Sequence, residues 1–313
     1  DEIQLMPRLF PLLRALIDQA RVPARFLILG SASPVIIRQS SETLAGRIAY
    51  NELAPLSLSE IQPTGITMTE HWFRGGFPNA LLAPSDEVAN TWLRNFASTF
   101  MEKDLKAMGY EISVQTMSRL YRMVAHVHGQ IQNASALSQA LGISSPTVAK
   151  YLDLLEGGFL VHRLEPYYVN LGKRLVKSPK IYFRDTGLLH QLSTIPSFEA
   201  LQGNQLIGAS WEGYVIEQIR RALDESWQYY YYRTVAGAET DLVLISPNGV
   251  MTCVEIKYSL APVIAKGFYQ SMDDLKPAHQ YVIVPSGSSY FFNERLKVCS
   301  LEVFLEQELE TIK

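Results

Sequence analysis

The last third of the chain carries the period-two and block patterns of apolar residues that are typical of β-strands. Residues 237–259 read as two strands joined by a turn at 247–249. Further strands are predicted over 228–233 and 280–285, and a helix over 267–275 lies between the hairpin and the second of these. This order of elements predicts an α/β domain.

The pattern upstream of that domain is mainly helical. Residues 7–19 have the spacing of an amphipathic helix, residues 25–30 read as a buried parallel strand, and residues 56–105 are helical. A longer helix is predicted to be capped by Ser210. Its core-facing stripe is formed by Trp211, Val215 and Ile219.

Two short helices and a strand follow one another between residues 135 and 166. Ser144 or Ser145 caps the second helix, the glycines at 157–158 end it, and residues 159–164 read as a strand. The order helix, turn, helix, strand is the pattern of a winged helix-turn-helix.

Composition and charge narrow the class of protein. The 313 residues are 47% hydrophobic and 19% charged, which is ordinary for a globular protein of two or three domains. No run of about 18 apolar residues predicts a membrane span, and no secretory leader opens the sequence. Cys253 and Cys299 lack metal-ligand spacing, so a reducing, cytoplasmic location is the simpler expectation.

The distribution of charge is more informative than the net charge of −3. Residues 118–184 contain nine Lys and Arg against three Asp and Glu, a local balance of +6. Such asymmetry marks either a surface that faces a polyanion or a solvated charged face, and the sequence leaves both open.

The hairpin at 237–259 carries the residues with chemistry. Glu255 and Lys257 are two apart on a strand and project to the same face, and Asp241 lies on the partner strand. Two converging carboxylates repel each other unless a cation such as Mg²⁺ or Mn²⁺ lies between them. A neighbouring lysine then orients the attacking water and stabilises charge on a scissile phosphate. The alternative is an exposed cross-strand ion pair without function.

This spacing resembles the PD-(D/E)XK nuclease superfamily. The resemblance implies Mg²⁺-dependent cleavage, with Asp241 and Glu255 as metal ligands and Lys257 as the catalytic lysine. It adds Glu212 as a third metal ligand on the preceding helix and Gln270 on the following one. The sequence departs from the superfamily pattern at Thr240, where proline is usual, and at Glu239, an additional acid on the face of Asp241.

The whole chain resembles a prokaryotic group of AAA-type ATPases that carry a C-terminal PD-(D/E)XK-like domain. The stretches that carry the resemblance are DEIQ, LILGSAS, LAGR, PLSLSEI, FRGGFPNAL, GISSPTVAKYLDLLEGGFLVHRL, NLGKRLVKSPKIYFRDTGLLH, GASWEGYVIEQI, GAETDLVL and VEIKYS. The resemblance implies ATP as a cofactor of the longer parent protein, and assembly of that parent as a homo-oligomer.

Within this resemblance DEIQ corresponds to the Walker B element. Asp1 would then hold nucleotide-bound Mg²⁺ and Glu2 would polarise the hydrolytic water. Ser31 or Ser33 would be the sensor residue and Arg47 a phosphate-sensing arginine. The alternatives are a strand-to-loop cap at the serines and a surface ion pair at Arg47.

The chain has no G-x-x-x-x-G-K-[ST] sequence to cradle nucleotide phosphates. Its Gly172–Lys173 pair is followed by arginine and lies in another context. We therefore expect the chain to be a fragment that starts at Walker B, whose parent binds ATP although the fragment does not.

DNA is the partner that the winged helix-turn-helix pattern indicates. The alternative is that this module is a spacer or a protein-docking element. Asp185, beyond the module, is most simply a helix N-cap. The predicted nucleic-acid contacts are Ser144, Ser145, Thr147, Lys150, Arg163, Lys173, Arg174 and Lys177.

The expected fold class is therefore α/β and multidomain. The expected domains are a truncated P-loop ATPase portion with a helical lid (1–108), a winged helix-turn-helix (109–166) and a restriction-endonuclease-like domain (167–313). The first functional hypothesis is a DNA-processing ATPase with a metal-dependent nuclease-type site. The second is an ATP-switched binding protein whose nuclease-like domain is inert. A toxin–antitoxin or defence-type role is a third reading that the sequence does not decide.

Overall fold

A computed structural model describes residues 3, 6, 8–30, 43–104, 113–168 and 174–313. Within these ranges the chain is a mixed α/β protein with one six-stranded sheet and many helices. None of the helices in the described ranges combines the length and hydropathy that a membrane span requires.

The N-terminal part contains the predicted amphipathic helix but not the predicted strand. Helix α1 spans Leu9–Gln19, and its Phe10 packs with Ile3 and Leu44 in a small core of its own. Residues 25–30 form no strand, and the backbone hydrogen bond that the described residues give them runs from the Ile3 amide to Leu29 O at 3.3 Å. A parallel strand exists through a ladder of such bonds on a neighbour, and the described residues supply no such ladder here.

The helical segment after residue 56 is divided by glycine and proline into short helices. Capping boxes at Ser57 and Thr67 begin two of them, and the left-handed Gly142 ends a third. These helices are α2 (Leu58–Ile61), α3 (Met68–Arg74), α4 (Pro78–Leu81), α5 (Asp86–Thr99), α6 (Val114–His126), α7 (Ala134–Leu141) and α8 (Ser145–Gly157).

Helices α6 to α8 are followed by a two-stranded antiparallel sheet. Strand β1 (Val161–Leu164) pairs with β2 (Lys180–Phe183). This pairing crosses the predicted domain boundary at 166/167. That boundary stays a prediction, although the segment containing β2 packs with the helices before it.

The C-terminal domain is built on a six-stranded sheet in the order β3-β4-β5-β6-β8-β7. Strands β3 to β5 are antiparallel, whereas β5, β6 and β8 run parallel to one another. The elements are α9 (Thr186–Leu192), α10 (Phe198–Gln202), α11 (Ile207–Ala222), β3 (Gln228–Arg233), β4 (Glu239–Ile245), β5 (Met251–Ile256), α12 (Lys266–Leu275), β6 (His279–Val284), β7 (Tyr290–Phe291), β8 (Leu296–Ser300), α13 (Leu301–Val303) and α14 (Leu309–Ile312).

A β-bulge interrupts the β3–β4 ladder. Tyr230 pairs with Val243 but Tyr232 pairs with Thr240, so two steps along β3 match three along β4. Thr240 and Val243 consequently both face α12, which regular alternation would forbid. The extra residue falls beside Asp241, and bulges of this kind re-aim side chains next to functional sites.

Helix α11 is the central helix of the domain. Trp211, Val215 and Ile219 are fully buried against the sheet, as their spacing predicts. The predicted cap at Ser210 is wrong, because α11 begins at Ile207 and Ser210 lies inside it. The Ser210 hydroxyl instead accepts a hydrogen bond from Trp72 Nε1 at 2.9 Å.

A two-glycine loop after α3 joins the helical segment to the C-terminal domain. Asp185 caps α9, as predicted, and also accepts a 2.8 Å hydrogen bond from the Gly76 amide. At Gly75 the backbone is left-handed, with φ of 77°, and a Cβ would lie 2.2 Å from the Asp185 carboxylate. Only glycine permits this close approach.

Candidate functional site

The candidate site is a cleft of about 580 Å³ at the edge of the sheet, beside the bulge in β4. Helix α11, strands β4 and β5, the start of α12 and strand β2 all contribute to it. Its charged side chains are the carboxylates of Glu212, Glu239, Asp241 and Glu255 and the cations Lys180, Arg233 and Lys257.

The predicted trio on the hairpin does converge in this cleft. The Lys257 ammonium lies 2.6 Å from Glu255 Oε1. Asp241 is oriented by the neighbouring strand β5, since its Oδ2 accepts a 2.9 Å hydrogen bond from the Ile256 amide. Both carboxylates are buried, with 7% of Asp241 and 4% of Glu255 exposed. The sequence spacing therefore placed these three residues correctly relative to one another.

The surroundings of Glu255 disfavour its ionised form. Burial, followed by the nearby charge of Asp241, raises the pKa of Glu255 to about 8, although Lys257 acts in the opposite direction. Its second oxygen, Oε2, has no hydrogen-bond partner within the described part of the chain. Burial alone would lower the pKa of Lys257, but Asp241 and Glu255 outweigh burial and raise it. The ammonium is thus the form of Lys257 that this cleft favours.

Lys180 is a site residue that the sequence did not single out. Its Nζ lies 3.2 Å from Glu212 Oε1, 3.2 Å from Glu239 Oε1 and 3.9 Å from Asp241 Oδ1. Although burial disfavours its charge, the surrounding carboxylates raise its pKa well above the ordinary value. Glu212 also accepts a hydrogen bond from the Tyr182 hydroxyl.

The sequence KIYF indicates that Lys180 shares a strand face with a tyrosine, but it does not indicate which residue the two contact. Lys180 and Tyr182 are two apart on β2 and so share a face. Both contact Glu212, which lies on α11 in a later segment of the chain. The sequence alone does not show that β2 lies against α11.

The donor set suits a hard divalent cation, but only two carboxylates remain for it. Lys180 engages Glu212 and Glu239 at 3.2 Å and lies 3.9 Å from Asp241, and Glu255 keeps Oε2 beside the Oε1 that Lys257 holds at 2.6 Å. Across the described residues, no three His, Cys, Asp or Glu side chains are grouped so as to hold a metal ion together. The orphaned Glu255 Oε2 and the mutual repulsion of Asp241 and Glu255 are what a bound cation would relieve.

Gln270 does not join this cleft. It lies on α12 and lines a neighbouring cleft of about 600 Å³ together with Arg174 and Asp274. The α12 residues that line the carboxylate cleft are Gly267 and Phe268. Two residues along a helix correspond to a rotation of about 200°, so Phe268 and Gln270 face nearly opposite directions.

The basic segment before β2 runs along the same edge of the sheet. Val176 N–H donates to Arg233 O, and Val235 N–H donates to Arg174 O, which fixes this segment on β3 and the turn after it. Arg174 and Lys177 are exposed and line a further cleft beside Tyr168. Lys173 lies outside the described residues.

The predicted contacts on the second short helix are mostly engaged within the module. Ser144 caps α8, with its hydroxyl 2.8 Å from that of Thr147. Ser145 donates to Ser138 Oγ at 3.2 Å, and Lys150 is exposed. Arg163 lies on β1 and is neutralised by Asp153 at 2.7 Å and by Glu156. Nucleic-acid contact by these residues stays a prediction.

Most of the predicted nucleotide-binding residues cannot be placed. Asp1, Glu2, Ser31 and Ser33 lie outside the described residues. Arg47 is described, and its Nε lies 2.8 Å from Asp18 Oδ1. The hydrogen bond from Arg47 lowers the pKa of Asp18. This geometry matches the surface ion pair that the sequence left open as the alternative role of Arg47.

Three family models match successive parts of the chain. Residues 1–62 match a model described as AAA domain. Residues 66–199 and 207–304 match two models described as Domain of unknown function (DUF8612) and Domain of unknown function (DUF4143). The carboxylates and Lys257 lie in the last segment, whereas Lys180 comes from the one before it.

Relatives of the chain include uncharacterized proteins of Mycobacterium tuberculosis and Mycobacterium bovis. Each is 41% identical over 285 residues, which is 91% of this chain and 64% of the relative. An uncharacterized protein of Haemophilus influenzae is 26% identical over 204 residues, 60% of this chain and 50% of that protein. The chain thus spans less than two thirds of the length of these relatives.

No solved structure gives a significant match to the chain. The matches to the AAA domain and to the C-terminal domain of unknown function are those found in ATPase-associated proteins. The chain is therefore similar to ATPase-associated proteins over residues 1–62 and 207–304.

Proposed function

We propose that the C-terminal domain is a PD-(D/E)XK nuclease-type domain that hydrolyses phosphodiester bonds in DNA. The observation that carries the proposal is the convergence of Asp241, Glu255 and Lys257 in one cleft at the bulged end of β4. The order of elements, α11-β3-β4-β5-α12-β6, with an antiparallel and then a parallel pairing, supports it.

Each residue has a role that follows from its position. Asp241 and Glu255 would hold Mg²⁺ or Mn²⁺, which supplies charge neutralisation at the phosphate when bound. The Lys257 ammonium, 2.6 Å from Glu255, is placed to orient a water molecule and to stabilise developing negative charge. The Ile256 amide keeps Asp241 oriented through its 2.9 Å hydrogen bond.

The basic edge beside the cleft supports a polyanionic substrate. Arg174 and Lys177 are exposed, and the Arg233 side chain is 42% exposed at the rim of the carboxylate cleft. These three cations would contact phosphates on either side of the scissile bond. The winged helix-turn-helix, α7 and α8 with β1, is a further candidate for DNA contact.

The N-terminal match to an AAA domain supports an ATP-driven parent protein. In that parent, nucleotide hydrolysis would control access of DNA to the nuclease-type cleft. Asp1 and Glu2 would belong to its Walker B element, with ATP and Mg²⁺ held jointly with residues of the longer protein.

A second candidate function is an inert platform that binds DNA or protein under control of the ATPase. The observation in its favour is Lys180, which neutralises Glu212 and Glu239 without any metal. A platform of this kind needs no divalent cation and no attacking water.

A cleavage assay separates the two candidates. We would incubate the chain with supercoiled plasmid and with single-stranded DNA in Mg²⁺ and in Mn²⁺. Asp241→Asn and Lys257→Met should each lower the nicking rate on the order of 100-fold or more, because each removes a group that acts on the scissile phosphate. Glu225→Gln, on an exposed residue away from the cleft, is the matched control and should cleave normally. No nicking by the wild type in either metal would favour the platform, whereas nicking that is independent of metal would contradict both candidates.

A further inference from the structure

We propose that the Lys180 ammonium occupies the position of a second cation in the carboxylate cleft, so that the cleft accepts a single divalent ion, at Asp241 and Glu255. The inference rests on the proposed function in that it assumes this ion. It adds a residue from the neighbouring segment to the site and fixes how many ions the site holds.

Lys180 has the surroundings of a bound cation. Its Nζ is within 3.2 Å of two carboxylate oxygens, on Glu212 and Glu239, and 3.9 Å from a third, on Asp241. The Tyr231 ring lies below it, with 5.5 Å between Nζ and the ring centroid. Three carboxylates and an aromatic face are an environment for positive charge.

Lys180 is also fixed in place, unlike a surface lysine. Only 4% of its side chain is exposed. Its backbone pairs with Leu164 of β1 on one side and bridges to Ile131 on the other. A side chain held in this way is a permanent part of the cleft rather than a transient counter-ion.

The remaining carboxylates form a separate, unsaturated pair. Glu255 lines the cleft with only 4% of its surface exposed, and its Oε2 has no hydrogen-bond partner among the residues that the structure describes. Asp241 lies between the two groups, with Oδ1 toward Lys180 and Oδ2 toward the Ile256 amide. Lys180 thus lies among Glu212, Glu239 and Asp241, with Arg233 also 3.3 Å from Glu239, whereas Glu255 is held through Oε1 by Lys257 and keeps Oε2 for a metal ion shared with Asp241.

Removing the lysine should open the second position. Mg²⁺ and Mn²⁺ need oxygen ligands at about 2.0–2.1 Å, so the two glutamates would close in by roughly 1 Å around the vacated point. Glutamate side chains have the rotational freedom for this movement.

The test is to count bound Mn²⁺ by the loss of the electron paramagnetic resonance signal of free Mn²⁺ on titration with the full chain. We expect one ion on the wild type and two on Lys180→Met. Lys180→Arg retains the charge and should bind one. Lys266→Met, which removes an exposed positive charge from the start of α12, should also bind one.

A second variant keeps the test valid if Lys180→Met fails to fold. Because Lys180 holds Glu212, Glu212→Gln in the wild-type background should leave Mn²⁺ affinity within about twofold. A tenfold or greater loss would overturn the inference, since Glu212 would then be a metal ligand. One ion on a folded Lys180→Met would also overturn it, while leaving the proposed metal site intact. No ion on the wild type would instead contradict the proposed function itself.

Discussion

Two buried glutamates in this molecule, Glu217 and Glu255, have opposite electrostatic surroundings. Glu217 lies on α11, 2.6 Å from His162 Nδ1, 2.8 Å from an Arg220 nitrogen and 3.7 Å from Arg184 Nε. Glu255 has one cation, Lys257, and a second carboxylate nearby. Burial alone would raise the pKa of both, but Arg220 and His162 hold the pKa of Glu217 well below its ordinary value. The pKa of Glu255 rises to about 8.

The two glutamates also differ in the size of the cavity beside them. Glu217 adjoins a small cavity of about 10 Å³, whereas Glu255 lines the cleft of about 580 Å³. Among the described residues neither Glu217 Oε2 nor Glu255 Oε2 has a hydrogen-bond partner, but Glu217 Oε2 lies 3.7 Å from Arg184 Nε. A buried carboxylate whose charge is balanced by cations of the protein has a structural role. A buried carboxylate that lacks this balance and lies beside open space is a candidate site for a bound cation.

The largest expected effect is the loss of folding stability at low pH through the buried histidines His71 and His190. Burial lowers the pKa of His71, which lines the small cavity beside Glu217, to about 4, and that of His190 to about 4. Above the unfolded pKa of about 6.5, both histidines are neutral in the folded and in the unfolded protein, and the folded state has its full stability. As the pH falls toward 4, the histidines take up protons in the unfolded protein first, and this lowers the free energy of unfolding. At pH 5 we expect a loss of about 2 kcal/mol per histidine, about 4 kcal/mol together.

Urea unfolding between pH 7 and 5 measures this loss. His71→Gln and His190→Gln should each flatten the pH dependence over this interval. His126→Gln, on an exposed histidine, should leave it unchanged. An unaltered slope in the two buried variants would contradict the assignment of neutral buried imidazoles.

Glu217→Gln should destabilise the protein by about 3 kcal/mol, because Arg184 and Arg220 would lose their buried counter-charge. The free energy of unfolding in urea at pH 7 measures this effect. Glu225→Gln, an exposed glutamate, should change it by less than about 0.5 kcal/mol. If Glu217→Gln lowers the free energy of unfolding no more than Glu225→Gln does, the contrast between Glu217 and Glu255 is wrong. The charge of Glu217 would then not stabilise its contacts with Arg184 and Arg220.

Mn²⁺ should stabilise the wild type by about 2.7 kcal/mol at a concentration 100-fold above its dissociation constant. The physical reason is that a cation between Asp241 and Glu255 removes their repulsion only in the folded state. Asp241→Asn should lose most of this increment in a thermal unfolding experiment, while Glu217→Gln should retain it. Equal increments in all three proteins would indicate binding elsewhere.

Glu255→Gln should have the smallest effect on stability, about 1 kcal/mol or less and in the stabilising direction. The substitution removes a carboxylate that burial and Asp241 both oppose, and the loss of its 2.6 Å ion pair with Lys257 offsets most of that gain. Urea unfolding in metal-free buffer measures the change. A loss of 2 kcal/mol or more would mean that Glu255, like Glu217, is a saturated structural residue.

Sequence spacing predicted the site where the chemistry is local. Asp241, Glu255 and Lys257 lie on one hairpin, so strand alternation and the turn suffice to bring them together. Lys180 could not be predicted in this way, because its position depends on β2 packing against α11. Gln270 was placed in the site by resemblance, and the helical rotation of α12 turns it toward the neighbouring cleft.

The fold shows the same dependence on local information. The helix α11 and strands β3 to β6 follow from residue periodicity and were predicted within a few residues, although α11 starts before Ser210. The strand predicted at 25–30 fails because a parallel strand needs neighbours that its own residues do not specify. The bulge at Asp241 likewise arises from the pairing of β3 with β4.

The most direct test of the central claim is a crystal structure of the chain soaked in Mn²⁺, with anomalous scattering used to locate the ion. We predict an anomalous peak between the carboxylates of Asp241 and Glu255 and no anomalous peak at Glu217. A peak coordinated by Glu212 and Glu239 in place of Lys180, or no peak in the cleft, would contradict it.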